Sequence, residues 1–83
     1  MVLYTFRLMI TGRQVRAARA LAGWTQPDLA TAAGISVIAV KNIERGISDP
    51  RQSTIAAIER AFRDKGVVFL DIDDGGEGVQ LRE

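Results

Sequence analysis

Apolar positions along the chain fall into four blocks at helical spacing, each closed by a glycine, and then into a block whose period shortens to that of a strand. Thr11 with Gln14 three residues later forms a capping-box signature, Val15, Ala18 and Ala22 repeat at helical spacing, and Gly23 supplies the stop. A second helix starts at Thr25, with Gln26 and Pro27 in the first turn, where a missing amide costs nothing, and Asp28 near the positive end of the dipole. It ends at Gly34. Its Leu29, Ala30 and Ala33 give only a small apolar face, so neighbours must hold it. Ser36 caps a third helix that carries Val40 and Ile43 inward and ends at Gly46. A fourth carries Ile55, Ile58, Ala61 and Phe62 and stops at Gly66; Asp49-Pro50 offers it one N-cap and first turn, and Ser53 a competing one.

Beyond Gly66 the run Val67-Val68-Phe69-Leu70-Asp71-Ile72 is β-branched and aromatic, Asp73 to Gly78 has turn composition, and Val79-Gln80-Leu81-Arg82 alternates, which predicts a hairpin. Two strands alone are marginal in water. A third is expected either from Val2-Leu3-Tyr4-Thr5-Phe6-Arg7-Leu8 or from a second copy of the chain, and the preferred arrangement is a small sheet completed across a dimer. The expected fold is mainly α, four to five helices with a C-terminal β-hairpin. Residues 1–10 form an N-terminal extension, 11–66 the helical domain and 67–83 the hairpin, a candidate dimerisation element. Met9 is a second candidate for the native start.

Composition narrows the function more than the fold. Eighty-three residues exclude two independent cores or a large catalytic barrel, and 47% hydrophobic with 25% charged residues is an ordinary globular balance. The chain contains neither Cys nor His, which removes disulfides, zinc fingers, imidazole metal sites and the Ser/His and Cys/His catalytic pairs at once. The apolar start, Met1 to Ile10, is too short to span a bilayer and ends in no small-residue cleavage site, so the expected location is the cytoplasm. A net charge of +1 conceals an asymmetry: residues 1–66 hold ten Lys/Arg against five Asp/Glu, and residues 67–83 one Arg against five acids. A basic body with an acidic tail suits an anionic partner such as nucleic acid, although scattered surface charge accounts for the same counts.

The segment from Gln26 to Gly46, two short helices joined by a tight turn containing Gly, has the geometry of a helix-turn-helix, whose second helix can lie in the major groove. Ala30 is small where the helices cross, Gly34 takes the left-handed turn, and Val40 and Ile43 pack inward. The strings Trp24-Thr25-Gln26-Pro27-Asp28-Leu29-Ala30, Gly34-Ile35-Ser36 and Val40-Lys41-Asn42-Ile43-Glu44-Arg45-Gly46 resemble the lambda-repressor-like (Cro, phage repressor, XRE-type) helix-turn-helix transcriptional regulators, over about residues 11 to 66. By that resemblance Gln26 matches a glutamine that clamps a phosphate and often a neighbouring recognition-helix residue. Ser36, Val37, Ile38, Lys41 and Asn42 fall where the family places its base-reading side chains. Asn42 can bond adenine and Lys41 a phosphate or guanine, whereas Val37 and Ile38 depart from the usual polar residues and suit thymine methyls. Arg13, Arg16, Arg45 and Arg51 are phosphate candidates, and Arg19 with Glu44 matches the family's structural ion pair.

Blander readings stand beside these. Val37 and Ile38 also suit a core or dimer contact, Asn42 a solvated helix face, and each arginine plain surface, while Trp24 is expected in the core. Leu21 falls on the solvent side of the first helix by the family pattern. The acidic turn from Asp71 to Glu77 fails the calcium-loop template, with Gly75 where an oxygen ligand belongs and Arg82 at the twelfth position. Gly75-Gly76-Glu77-Gly78 lacks the lysine and following helix of a phosphate loop. The expectation is therefore a non-enzymatic, homodimeric repressor of transcription that binds double-stranded DNA, needs no metal or cofactor, and is nucleoid-associated when bound. An antitoxin-like protein-interaction module is the alternative.

Overall fold

The computed structural model describes residues 10–70 and 77–82. Among the described residues four helices are followed by two strands: α1 Gly12–Ala22, α2 Gln26–Ala33, α3 Val37–Arg45, α4 Gln52–Asp64, β1 Val67–Leu70 and β2 Gly78–Leu81. The capping chemistry read from the sequence operates at three of the four starts. Thr11 and Gln14 exchange bonds, the Thr11 amide donating to Gln14 Oε1 at 2.9 Å and the Gln14 amide to Thr11 Oγ1 at 3.2 Å. Thr25 and Asp28 do the same at 2.9 and 3.1 Å, which adds a reciprocal bond to the cap and dipole roles expected of them. The Thr25 amide and hydroxyl hold the Asp28 carboxyl below its usual range. The Ser36 hydroxyl accepts from the Ala39 amide at 3.0 Å.

Helices α1, α2 and α3 end alike. Gly23, Gly34 and Gly46 sit at φ of +72°, +71° and +73°, a left-handed conformation that L side chains rarely adopt. In each case the next residue's amide closes a bond back over the last turn, Trp24 to the Arg19 carbonyl, Ile35 to Ala30 and Ile47 to Asn42. The start of α4 departs from expectation. Neither Asp49 nor Ser53 caps it; Arg51 is the N-cap, without a side-chain bond, and its carbonyl receives the Thr54 and Ile55 amides. The inward face of α4, Ile55, Ile58, Ala61 and Phe62, fixes where it begins, because burial outweighs a cap worth about 1 kcal/mol.

All four helices and the hairpin contribute to one core, in which Phe62, Leu29, Ile58, Val15, Val40 and Val67 are fully buried. Trp24, half-buried, lays its ring 5.2 Å from that of Phe62, and Phe69 meets Phe62 edge-on at 5.6 Å. The strands pair antiparallel, with Val67 opposite Leu81 and Phe69 opposite Val79, and they pack on α1 and α4. A buried side chain helps to fasten the hairpin. Gln14, buried on α1, donates from Nε2 to the Leu70 and Gly78 carbonyls, each at 3.0 Å, while its Oε1 serves the α1 cap. The expected strand over 2–8, the alternative start at Met9 and, of the acidic turn from Asp71 to Glu77, residues 71–76 lie outside the described residues.

Candidate nucleic-acid interface

Helices α2 and α3 cross on small residues. Ala30 and Ala33 of α2 are buried with Val40 and Ile43 of α3, and the turn Gly34-Ile35-Ser36 tucks Ile35 half-buried beneath them. This crossing settles which way α3 faces. Val40, Ile43 and Glu44 point inward, and Val37 is half-buried against the core. Ile38, Lys41 and Arg45 are exposed and Asn42 half-exposed, and their spacing of three, four and seven places all four on one outward stripe. The two β-branched residues predicted together thus separate: Val37 supports the helix from within, and Ile38, 69% exposed, projects from it. Ser36 is the N-cap and not part of the first turn.

Behind the stripe lies a polar network centred on Glu44, whose residue is only 4% exposed. Arg19 of α1 donates Nε to Glu44 Oε2 at 2.6 Å, Nη2 to Oε1 at 3.0 Å, and Nη1 to the Trp24 carbonyl at 3.1 Å. The bond to Glu44 raises the Arg19 pKa above its already high ordinary value, so this cation does not titrate. Gln26, first residue of α2, donates Nε2 to Glu44 Oε1 at 3.1 Å; a carboxylate only accepts, which fixes the orientation of that amide. Arg16 donates to the Glu44 main-chain carbonyl. Three helices are therefore locked at one acidic residue on the inner side of α3.

The predicted cations divide by what they touch. Arg13, at the start of α1, pairs with Glu77 through Nε at 3.1 Å and Nη2 at 2.9 Å, and the Thr11 hydroxyl donates to the same carboxylate at 2.8 Å. Arg13 first and Thr11 second hold the Glu77 carboxyl below its ordinary value. Lys41, Arg45 and Arg51 are exposed and make no ion pair among the described residues. Alongside α3, Asn42 lines a shallow groove of 220 Å³ with Ala39, Ile43, Ser48, Pro50 and Thr54. Sequence reasoning missed Gln14 as the hairpin's anchor and Glu77 as the partner of Arg13. The first carried a capping signal that hid its second role, and the second, 64 residues distant, carried none.

The comparisons agree with this geometry. A family model described as Helix-turn-helix matches residues 15–67. Over 51 residues the chain is 38% identical to an uncharacterised HTH-type transcriptional regulator of Mycobacterium bovis and equally to two such regulators of Mycobacterium tuberculosis, a match covering 61% of this chain. The chain spans about 20% of the length of these curated relatives. No helix among the described residues is long and apolar enough to cross a membrane. With the matched segment taking in the α2–turn–α3 unit, all of α4 and α1 from Val15 onward, the chain belongs to the XRE-type helix-turn-helix family of DNA-binding regulators.

Proposed function

We propose that this chain is a regulator of transcription that inserts α3 into the major groove of double-stranded DNA and represses by occupying its site. The observation that carries this reading is the outward stripe of Ile38, Lys41, Asn42 and Arg45 on a helix braced from behind by Glu44. Base edges are read by Ile38 and Asn42, with Ser36 and Val37 at the helix start shaping the approach and Lys41 reaching guanine or phosphate. Gln26 keeps a second amide proton beyond the one given to Glu44, and that proton, with Arg45 and Arg51, clamps phosphates. Arg13 and Arg16, already engaged by Glu77 and by the Glu44 carbonyl, brace the fold in this reading. Two copies acting together place their α3 helices about 34 Å apart, in successive major grooves of a palindrome. The chemistry needs no metal, cofactor or catalytic residue, and the working site is the nucleoid.

In vitro selection of randomised duplex DNA by the purified protein, at near-physiological salt, tests the reading. Recovery of a palindrome with half-sites about 10 base pairs apart supports a dimeric reader. Folded protein that enriches no sequence would instead point to a protein-interaction module of the antitoxin type.

A further inference from the structure

Ile38 is 69% exposed on the stripe of α3 that otherwise carries Lys41, Asn42 and Arg45. Its β-branched neighbour Val37 packs against the core, so Ile38 alone presents apolar surface on that stripe. A partner for this stripe has to offer one apolar spot about a side chain wide, framed by negative charge, with a hydrogen-bonding edge one helical turn further on. We infer that Ile38 is the reader of a pyrimidine C5-methyl group, so that the protein distinguishes thymine, and equally 5-methylcytosine, from their unmethylated counterparts at one position of its half-site. The inference rests on the DNA-binding function proposed above.

The spacing fits. Four residues of helix rise by about 6 Å, and base pairs stack at about 3.4 Å, so Ile38 and Asn42 address positions about two steps apart. Among the four standard bases only thymine presents a methyl group in the major groove, 5-methylcytosine carries one at the same ring position, and Asn42 suits the donor and acceptor pair of adenine. The phosphates that flank the groove match Lys41 and Arg45. An apolar protein pocket also accepts an isoleucine, but it leaves the two flanking cations and Asn42 without partners, which is costly once they are desolvated.

The test uses the full chain and duplexes carrying the selected site, with each thymine of the half-site replaced in turn by deoxyuracil and affinity read by fluorescence anisotropy. One position is expected to weaken binding by about fourfold, the worth of one buried methyl. At that position cytosine binds poorly and 5-methylcytosine recovers a similar factor. Ile38→Ala, exposed enough to leave thermal unfolding unchanged, is expected to bind thymine and deoxyuracil sites equally. Two outcomes overturn the inference while leaving DNA binding intact: no thymine whose methyl matters, or an Ile38→Ala variant that still discriminates. Absence of binding to any duplex by the folded chain overturns the DNA-binding function itself and this inference with it.

Discussion

The guanidinium of Arg19 forks the carboxylate of Glu44, Nε at 2.6 Å and Nη2 at 3.0 Å, and so joins α1 to the inner face of the helix that carries the outward stripe. Glu44→Ala strands a part-buried cation and the Gln26 amide together. Breaking a fully buried pair costs about 3 to 5 kcal/mol; with Arg19 still 21% exposed, about 2 kcal/mol is expected here. For a domain of this size that lowers the melting temperature by roughly 10 °C, readable by circular dichroism. Arg19→Lys keeps the charge and loses the fork, and its melting point should fall between the two. An unchanged melting temperature in Glu44→Ala would contradict the bracing role.

Gly12 occupies a different kind of constraint. A Cβ there would lie 2.5 Å from the Glu44 carbonyl oxygen and 2.6 Å from that of Ile43, both main-chain atoms that cannot swing away. Gly12→Ala is expected to force α1 from the end of α3 and to destabilise by about 2 kcal/mol. Gly23→Ala serves as the contrast, since its Cβ meets open space and the cost is the left-handed backbone alone, about 1 kcal/mol. Equal losses in chemical denaturation would refute the steric argument.

The link between Glu77 and the start of α1 should respond to acid. Its carboxyl has a lowered pKa in the folded chain, so the contribution is fully present above the ordinary glutamate value and disappears as the pH falls through the lower, folded one. Wild type should be the more stable at neutral pH, Glu77→Gln should show a flatter pH dependence below the ordinary value, and the two melting curves should converge in acid. The pair is exposed, so the difference is small, and high salt should shrink it further. Curves that run parallel down to strong acid would assign the shift elsewhere.

Arg45 and Asn42 share the outward stripe but are expected to fail differently. Arg45→Ala should weaken every duplex alike and flatten the slope of log affinity against log salt by about 0.9, the signature of one lost phosphate. Asn42→Ala should leave that slope unchanged and relax preference at one base pair, a loss of about 1 to 3 kcal/mol against the correct base. Salt titrations with cognate and scrambled duplexes separate the two roles. Identical behaviour of both variants would erase the division between clamping and reading.

Much of this was legible because helix ends announce themselves locally. Thr11, Thr25 and Ser36 cap with their own side chains, and Gly23, Gly34 and Gly46 stop their helices by a backbone conformation that a reader can anticipate from residue type. The start of α4 was not, because two attractive caps, Asp49 and Ser53, lost to the burial phase of Ile55 and Ile58, which only tertiary packing sets. The divergence of Val37 from Ile38 also escaped composition, since one step along a helix turns a side chain by about 100° and the direction of the core decides which of two similar residues is covered. Contacts such as Arg13 with Glu77 join residues far apart in sequence and leave no local trace.

The double duty of Gln14 restricts how this module can be transplanted. Its carbonyl oxygen closes the first turn of α1 at Thr11, and its amide nitrogen clasps the hairpin at Leu70 and Gly78. A graft limited to the matched segment 15–67 would omit Gln14 and all three of these partners, and would open the side of the core that Phe69 and Val79 cover. An engineer borrowing α3 to read a new DNA sequence therefore has to move both chain-distant pieces together, as a single inheritance.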